Sequence, residues 1–238
     1  MGDPDPRGQA IANVVLANRI LAAQGIVDAF GHVSARHPAR PDRFLLSCNL
    51  APGLVSAGDI MEFDLSGEPC DGDKRPVYLE RFIHAALYRD RSDVNGVVHS
   101  HSRSVIPFGI AVDMPFRPVS HMAGFLGSGV PCFEIRDVVG DGSDLLIRSI
   151  DLGSALASTM GASPVVLMRG HGATCVGGSV EEAVFHAIYV EWNAGILSQA
   201  LALGPPVYLT PAEAQAAAAA NANQIGRAWD YWASQVAW

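Results

Sequence analysis

Short strand-like runs and longer segments of helical period alternate from one end of this chain to the other, and that interleaving limits its architecture more than any other feature. The runs are Phe30-Gly-His-Val-Ser34, Phe44-Leu-Leu-Ser47, Ile60-Met-Glu-Phe-Asp64, and residues 94–99, 165–168 and 173–176, bounded by Gly, Pro, Asp and Asn. Among them, apolar spacing predicts helices over 7–24, closed by Gly25, over 78–89, where Leu79, Phe82, Ile83, Ala86 and Leu87 recur at i, i+3 and i+4, over 151–160 and over 180–203. A last, Ala-rich helix is expected from Pro211 to about Ala233, because alanine has the strongest helix propensity. This order predicts an α/β fold, a sheet with helices on both faces, and leaves strand order and direction open. Residues 1–238 read as one domain, with 204–238 as a helical tail. Trp229, Trp232 and Trp238 crowd the tail's end, which predicts that it packs on the body or on a neighbouring subunit.

A hydrophobic fraction of 49% against 17% charged residues supports a sizeable core and argues against disorder. The net charge of -8 leaves no basic stripe for a phosphate backbone, so nucleic acid is not an expected partner. No apolar run reaches the length of a membrane span, and Met1-Gly-Asp-Pro-Asp-Pro6 lacks the order of a signal peptide. Cys48, Cys70, Cys132 and Cys175 form no Cys-x-x-Cys pair and are expected as buried free thiols in a reducing, cytoplasmic setting.

The chemistry concentrates in Asn95-Gly-Val-Val-His99-Ser-His101. Alternate residues of a strand share a face, so His99 and His101 are expected to project together at a strand end, a spacing suited to one metal ion. Two histidines bonded to backbone are the competing reading. His171, between Gly170 and Gly172 at the end of another apolar run, offers a third imidazole where glycines allow close approach. Glu80 sits among apolar positions of the preceding helix, and a carboxylate buried there is costly unless paired or bound to a cation. A surface pair with His84, at i+4, is its bland alternative. Together the four would form a site in which Glu80 is either the fourth ligand or a mobile acid/base.

These residues, with Ala29-Phe-Gly-His-Val-Ser-Ala-Arg36, Gly170-His171-Gly172 and the 181–191 helix, resemble the class II aldolase/adducin head-domain family over about residues 8–203. The resemblance implies a three-layer α/β/α sandwich around a largely antiparallel sheet, assembled as a homotetramer with sites near subunit interfaces. It implies one divalent metal ion per subunit (manganese, zinc, cobalt or magnesium) on His99, His101 and His171, with Glu80 matching the catalytic glutamate. The chain departs from the sugar-phosphate members. His32 stands where they have Asn, Ser47-Cys-Asn-Leu50 replaces a Thr-Gly loop, and Tyr78-Leu79 replaces a Ser pair, so the groups that would hold a phosphate are missing.

Phe30, His32, Arg81, Arg103, Arg117 and Ser120 suit instead a small planar acid, since arginine grips carboxylates and aromatic rings provide flat walls. His121 joins Glu80 as a candidate proton donor. The set resembles the branch that decarboxylates hydroxylated aromatic or pyridine dicarboxylates, without oxidation and with a metal. Retro-aldol cleavage of a non-phosphorylated hydroxy-acid or sugar, and a non-catalytic adducin-like interaction domain, are the alternatives.

Overall fold

In a computed structural model, which describes residues 5–70, 72–111 and 113–236, the interleaving becomes one seven-stranded sheet between two helical layers. Helix α1 (Pro6–Ala23) opens the chain and is followed by β1 (His32–Arg36), β2 (Arg43–Ser47), β3 (Ile60–Asp64), α2 (Arg81–Asp90) and β4 (Gly96–Ser100). Two short helices, α3 (Ile106–Ile110) and α4 (Arg136–Val139), flank the two-residue strand β5 (Cys132–Phe133). Then come α5 (Ile150–Met160), β6 (Val165–Met168), β7 (Gly172–Gly177), α6 (Val180–Leu203), α7 (Pro211–Ala222) and α8 (Ile225–Val236). The sheet order is β3-β2-β1-β4-β7-β6-β5, antiparallel throughout except for the β5–β6 pair.

Side-chain alternation builds two cores from one sheet. Leu45, Val98, Leu167 and Cys175 point to one face and pack with Ile20 and Leu21 of α1 and Val184 and Ile188 of α6. Their neighbours Phe44, Leu46, Val97, Val166 and Val176 point to the other, against Ile83 and Leu87 of α2 and Leu156 of α5. Serine and threonine caps start the later helices: Ser149 accepts from Leu152 N–H, Ser179 from Glu182 N–H, and Thr210 forms a capping box with Glu213.

Three expectations need correction. The helix expected over 78–89 begins at Arg81, with Glu80 in the N-cap position, because Tyr78 is tied by its hydroxyl to Ser47 and to the Leu50 carbonyl and the segment before it stays extended. The Ala-rich tail is two helices, since Asn223 closes α7 and Gln224 N–H turns back to the Asn221 carbonyl. Cys132 is exposed and Cys70 only half-buried, although Cys48 and Cys175 are buried as expected. Within the tail, Trp232 is buried against Phe185 and Tyr189 of α6, so it packs on its own chain. Trp238 and residues 1–4 lie outside the described residues. Among the described residues no helix is long and apolar enough to cross a membrane.

Candidate metal centre

The central strand β4 carries the site. Cross-strand register sets His99 between His32 of β1 and Thr174 of β7. His99 therefore faces the α2 layer, at whose start Glu80 stands, and His101 lies just past the strand end. His171 sits in the tight connection between β6 and β7, where Gly170 takes a left-handed backbone (φ +66). Gly172 touches β4 so closely that an added Cβ would collide with the Ser100 carbonyl. The two glycines thus do different work: one turns the chain, the other lets two strands meet.

These elements bring four ligand atoms within 4.8 Å of one another. His99 Nε2 lies 3.3 Å from His101 Nε2, and His101 Nε2 lies 2.9 Å from His171 Nε2. Glu80 Oε2 lies 3.5 Å from His99 Nε2 and 3.3 Å from His171 Nε2. Donors about 2.1 Å from one ion at tetrahedral angles stand about 3.4 Å apart, so these separations fit a single small divalent cation. The outer contacts point the same way. His171 Nδ1 donates to the Leu145 carbonyl (2.8 Å), and His99 Nδ1 faces Thr174 Oγ1 (3.3 Å), whose own proton is directed at Met168 Sδ. Each Nδ1 is thereby engaged on the outer side, so each Nε2 is the nitrogen turned towards the cluster. Glu80 Oε1 accepts from Ile147 N–H at 3.0 Å, which leaves Oε2 facing the imidazoles.

Electrostatics prepare the same donor set. Burial alone would raise the Glu80 carboxyl, but His99 and His171 outweigh it and hold the group at about 2, ionised. Burial keeps His99 and His32 well below the ordinary imidazole range, hence neutral. Burial also lowers His171, yet its hydrogen bond to Glu80 leaves it raised. The direction that stands is an ionised carboxylate sharing a site with imidazoles from which a cation displaces any proton.

The cluster opens onto a cavity of about 330 Å³ walled by Phe30, Leu50, Tyr78, Leu79 and Leu146, with His32 on the wall beside His99. No lysine or arginine lines it among the described residues. Phe30 and His101 separate it from a second cavity that Asp28 and Arg103 line. The remaining candidates lie elsewhere in the chain. Arg81 is taken up by the Gly67 carbonyl and Glu68, and Arg117 stacks over Tyr208 and donates to the Leu209 carbonyl. Ser120 starts the 3₁₀ turn His121–Leu126, and His121 faces a groove walled by Tyr189, Trp192 and Trp232, with its carbonyl held by Asn221. His84 is buried and bonded to His32 and Ser34 in place of a surface pair with Glu80. Thr174, Leu145 and Ile147 were not foreseen, since two act through backbone groups and the third through cross-strand register. Tyr78 and Leu79 could have been, as departures sitting next to Glu80.

Known proteins share this fold and much of this sequence. Residues 12–197 match the Class II Aldolase and Adducin N-terminal domain. The decarboxylase tropJ of Talaromyces stipitatus is 37% identical, covering 97% of this chain and 95% of that protein. A 3,4-dihydroxyphthalate decarboxylase of Arthrobacter keyseri is 33% identical over 80% of this chain and 78% of its own. Among solved structures, an aldolase II superfamily protein from Pseudomonas syringae superposes with a TM-score of 0.79 at 21% identity, covering 98% of this chain and 94% of that one. An L-fuculose 1-phosphate aldolase from Glaciozyma antarctica gives 0.77 at 21%, covering 97% and 92%.

Proposed function

Because this chain belongs to the class II aldolase and adducin N-terminal domain family and is a carbon–carbon lyase, we propose that it is a divalent-metal-dependent decarboxylase of a hydroxylated aromatic or heteroaromatic dicarboxylate, working as a homo-oligomer. The observation that carries this reading is the four-donor cluster opening onto an apolar, arginine-free cavity. A phosphate would find no lysine or arginine on these walls among the described residues, whereas a flat ring finds Phe30, Leu50, Leu79 and Leu146 on its sides.

His99, His101, His171 and Glu80 would hold the ion, which supplies Lewis-acid polarisation of the substrate oxygens when bound. The chain's own groups do the rest. Glu80, anchored through Oε1 by Ile147 N–H, would give up its place as fourth ligand when substrate arrives; its freed Oε2 then holds a proton and delivers it to the ring carbon that loses its carboxyl group. The apolar wall excludes water from that carbon, and His32 contacts a substrate oxygen at the inner end. Arg103, across Phe30 and His101, supplies a cation for a second carboxylate. His121, Ser120 and Arg117 can reach this chemistry only from a neighbouring subunit.

The test is a product assay on metal-loaded protein with 3,4-dihydroxyphthalate. Release of CO₂ that stops on chelation and returns with manganese or zinc supports the reading. Release of an aldehyde from a hydroxy-acid, with no CO₂ from any hydroxylated aromatic acid, overturns it in favour of aldol cleavage.

A further inference from the structure

Behind the cavity wall runs a chain of four polar side chains in the hydrophobic layer between β1 and α2. His32 Nδ1 lies 2.6 Å from His84 Nε2, His84 Nδ1 lies 2.5 Å from Ser34 Oγ, and Ser34 Oγ lies 2.8 Å from the Tyr88 hydroxyl. Ser34 and His84 are fully buried, Tyr88 is 1% exposed and His32 4%. Polar groups placed this deep cost free energy unless every donor meets an acceptor, so the direction of each bond follows from counting protons.

The count starts at the buried end. Burial pushes the Tyr88 phenol up, so it stays protonated and has one proton to give. Its partners are Ser34 Oγ and the Val97 backbone N–H, and of these only the serine oxygen can accept. Ser34, having accepted, passes its own proton to His84 Nδ1. With that nitrogen accepting, a neutral His84 carries its hydrogen on Nε2 and donates it to His32 Nδ1. His32 must then carry its hydrogen on Nε2. That atom is not among the buried polar atoms lacking a partner, and His32 lines the cavity, so the N–H opens onto the ligand space.

We infer that Tyr88, Ser34 and His84 form a one-way hydrogen-bond relay that sets His32 as a fixed Nε2–H donor beside the metal cluster, and that the cavity therefore selects ligands presenting an oxygen lone pair, a carboxylate or phenolate, at that point. The inference rests on the proposed function only in taking this cavity as the substrate site. His32 touches the ligand; His84, Ser34 and Tyr88 are positioning residues. An amide side chain at that position could rotate to offer either a donor or an acceptor, whereas this ring has one option. A preset donor loses no reorganisation when charge builds on the oxygen it faces, which is the condition for electrostatic stabilisation of a developing anion.

Nitrogen-15 spectra of histidine rings in the zinc-loaded protein read the tautomer directly. His32 is expected as the Nε2–H form, and an Nδ1–H form overturns the inference with no variant required. Ser34→Ala removes the donor to His84, so both His32 tautomers should appear; a single unchanged Nε2–H form would show that the relay does not set it. Binding of 2-hydroxybenzoate to zinc-loaded protein provides a readout independent of turnover. His32→Phe should raise its Kd about tenfold or more, the loss of a hydrogen bond to a charged acceptor, with zinc content unchanged. His32→Gln, which can offer an amide N–H, should recover most of the loss. A His32→Phe protein that binds like the parent overturns the assignment. Failure to release CO₂ from any aromatic acid would remove the proposed reaction and leave the ring spectra and Kd values standing.

Discussion

Replacing Gly172 by alanine should damage the metal centre although residue 172 contributes no ligand. The added Cβ would sit roughly 1 Å inside contact with the Ser100 carbonyl oxygen, 3.0 Å from the Ser100 carbonyl carbon and 3.1 Å from His101 Cα. All three are backbone atoms of the segment that carries His99 and His101, so no side chain can swing away. Either β4 or β7 must move, by about 1 Å, and His171 is tied to β7. Metal–ligand distances tolerate only about 0.2 Å, so a displacement of that size leaves at most part of the donor set in reach. Metal affinity should fall by at least about tenfold. Overpacking of this kind costs about 1–3 kcal/mol, which for a domain of this length lowers Tm by about 5 °C. The assay is a metal titration against a chromogenic chelator, with thermal unfolding followed with and without chelator. Gly170→Ala is the control: its Cβ meets nothing nearer than 3.7 Å, and its cost is the left-handed backbone alone. Gly172→Ala protein with the parent's metal affinity, or Gly170→Ala protein that loses as much, would refute the reasoning.

Other consequences can be checked independently. His99→Ala and His171→Ala should each abolish stoichiometric metal binding in elemental analysis of purified protein, and parent-like metal content would defeat the ligand assignment. Leu79→Asp should set a negative charge on the cavity wall and, by repulsion, raise KM for an aromatic acid at least about tenfold, with metal content unchanged in the same preparation. Glu62 offers a pH test away from the site. Burial alone would raise its carboxyl, but hydrogen bonds from Arg7, Arg40 and Arg43 outweigh it and hold it at about 2 against an ordinary 4.5. Its contribution to stability is therefore complete above about pH 4.5 and is lost as pH falls from there towards 2. Glu62→Gln should lower Tm at neutral pH and flatten the acid side of a Tm-against-pH curve; an unchanged curve would show that the three arginines contribute nothing.

What could be read from the residues alone followed the periodic signals. Six of the seven strands, the long helix over 180–203 and the convergence of His99, His101 and His171 were legible, because alternation and helical spacing are local properties and the His-x-His pair sits at a strand end. Glu80 was placed near the site for the right reason, burial of a charge among apolar residues, but in the wrong local structure. The tether from Tyr78 to Leu50 that delays α2 is a contact between segments distant in sequence. The same limit hid Thr174, which meets His99 only through strand register, and the relay from His32 to Tyr88, which spans β1 and α2. Arg81 looked like a substrate ligand because its carbonyl partner, Gly67, contributes no side chain that could have announced it. The two-residue strand β5 is too short to show a period.

The strand that carries His99 is the fourth of seven, with three neighbours on each side. Sheets fray from their edges inward, so the amides of β4 should be among the last to exchange with deuterated solvent. Stripping the ion should loosen the connections around His101 and His171 long before it reaches that strand. Reloading would then be a matter of capture by a scaffold that has kept its shape, fast and without refolding.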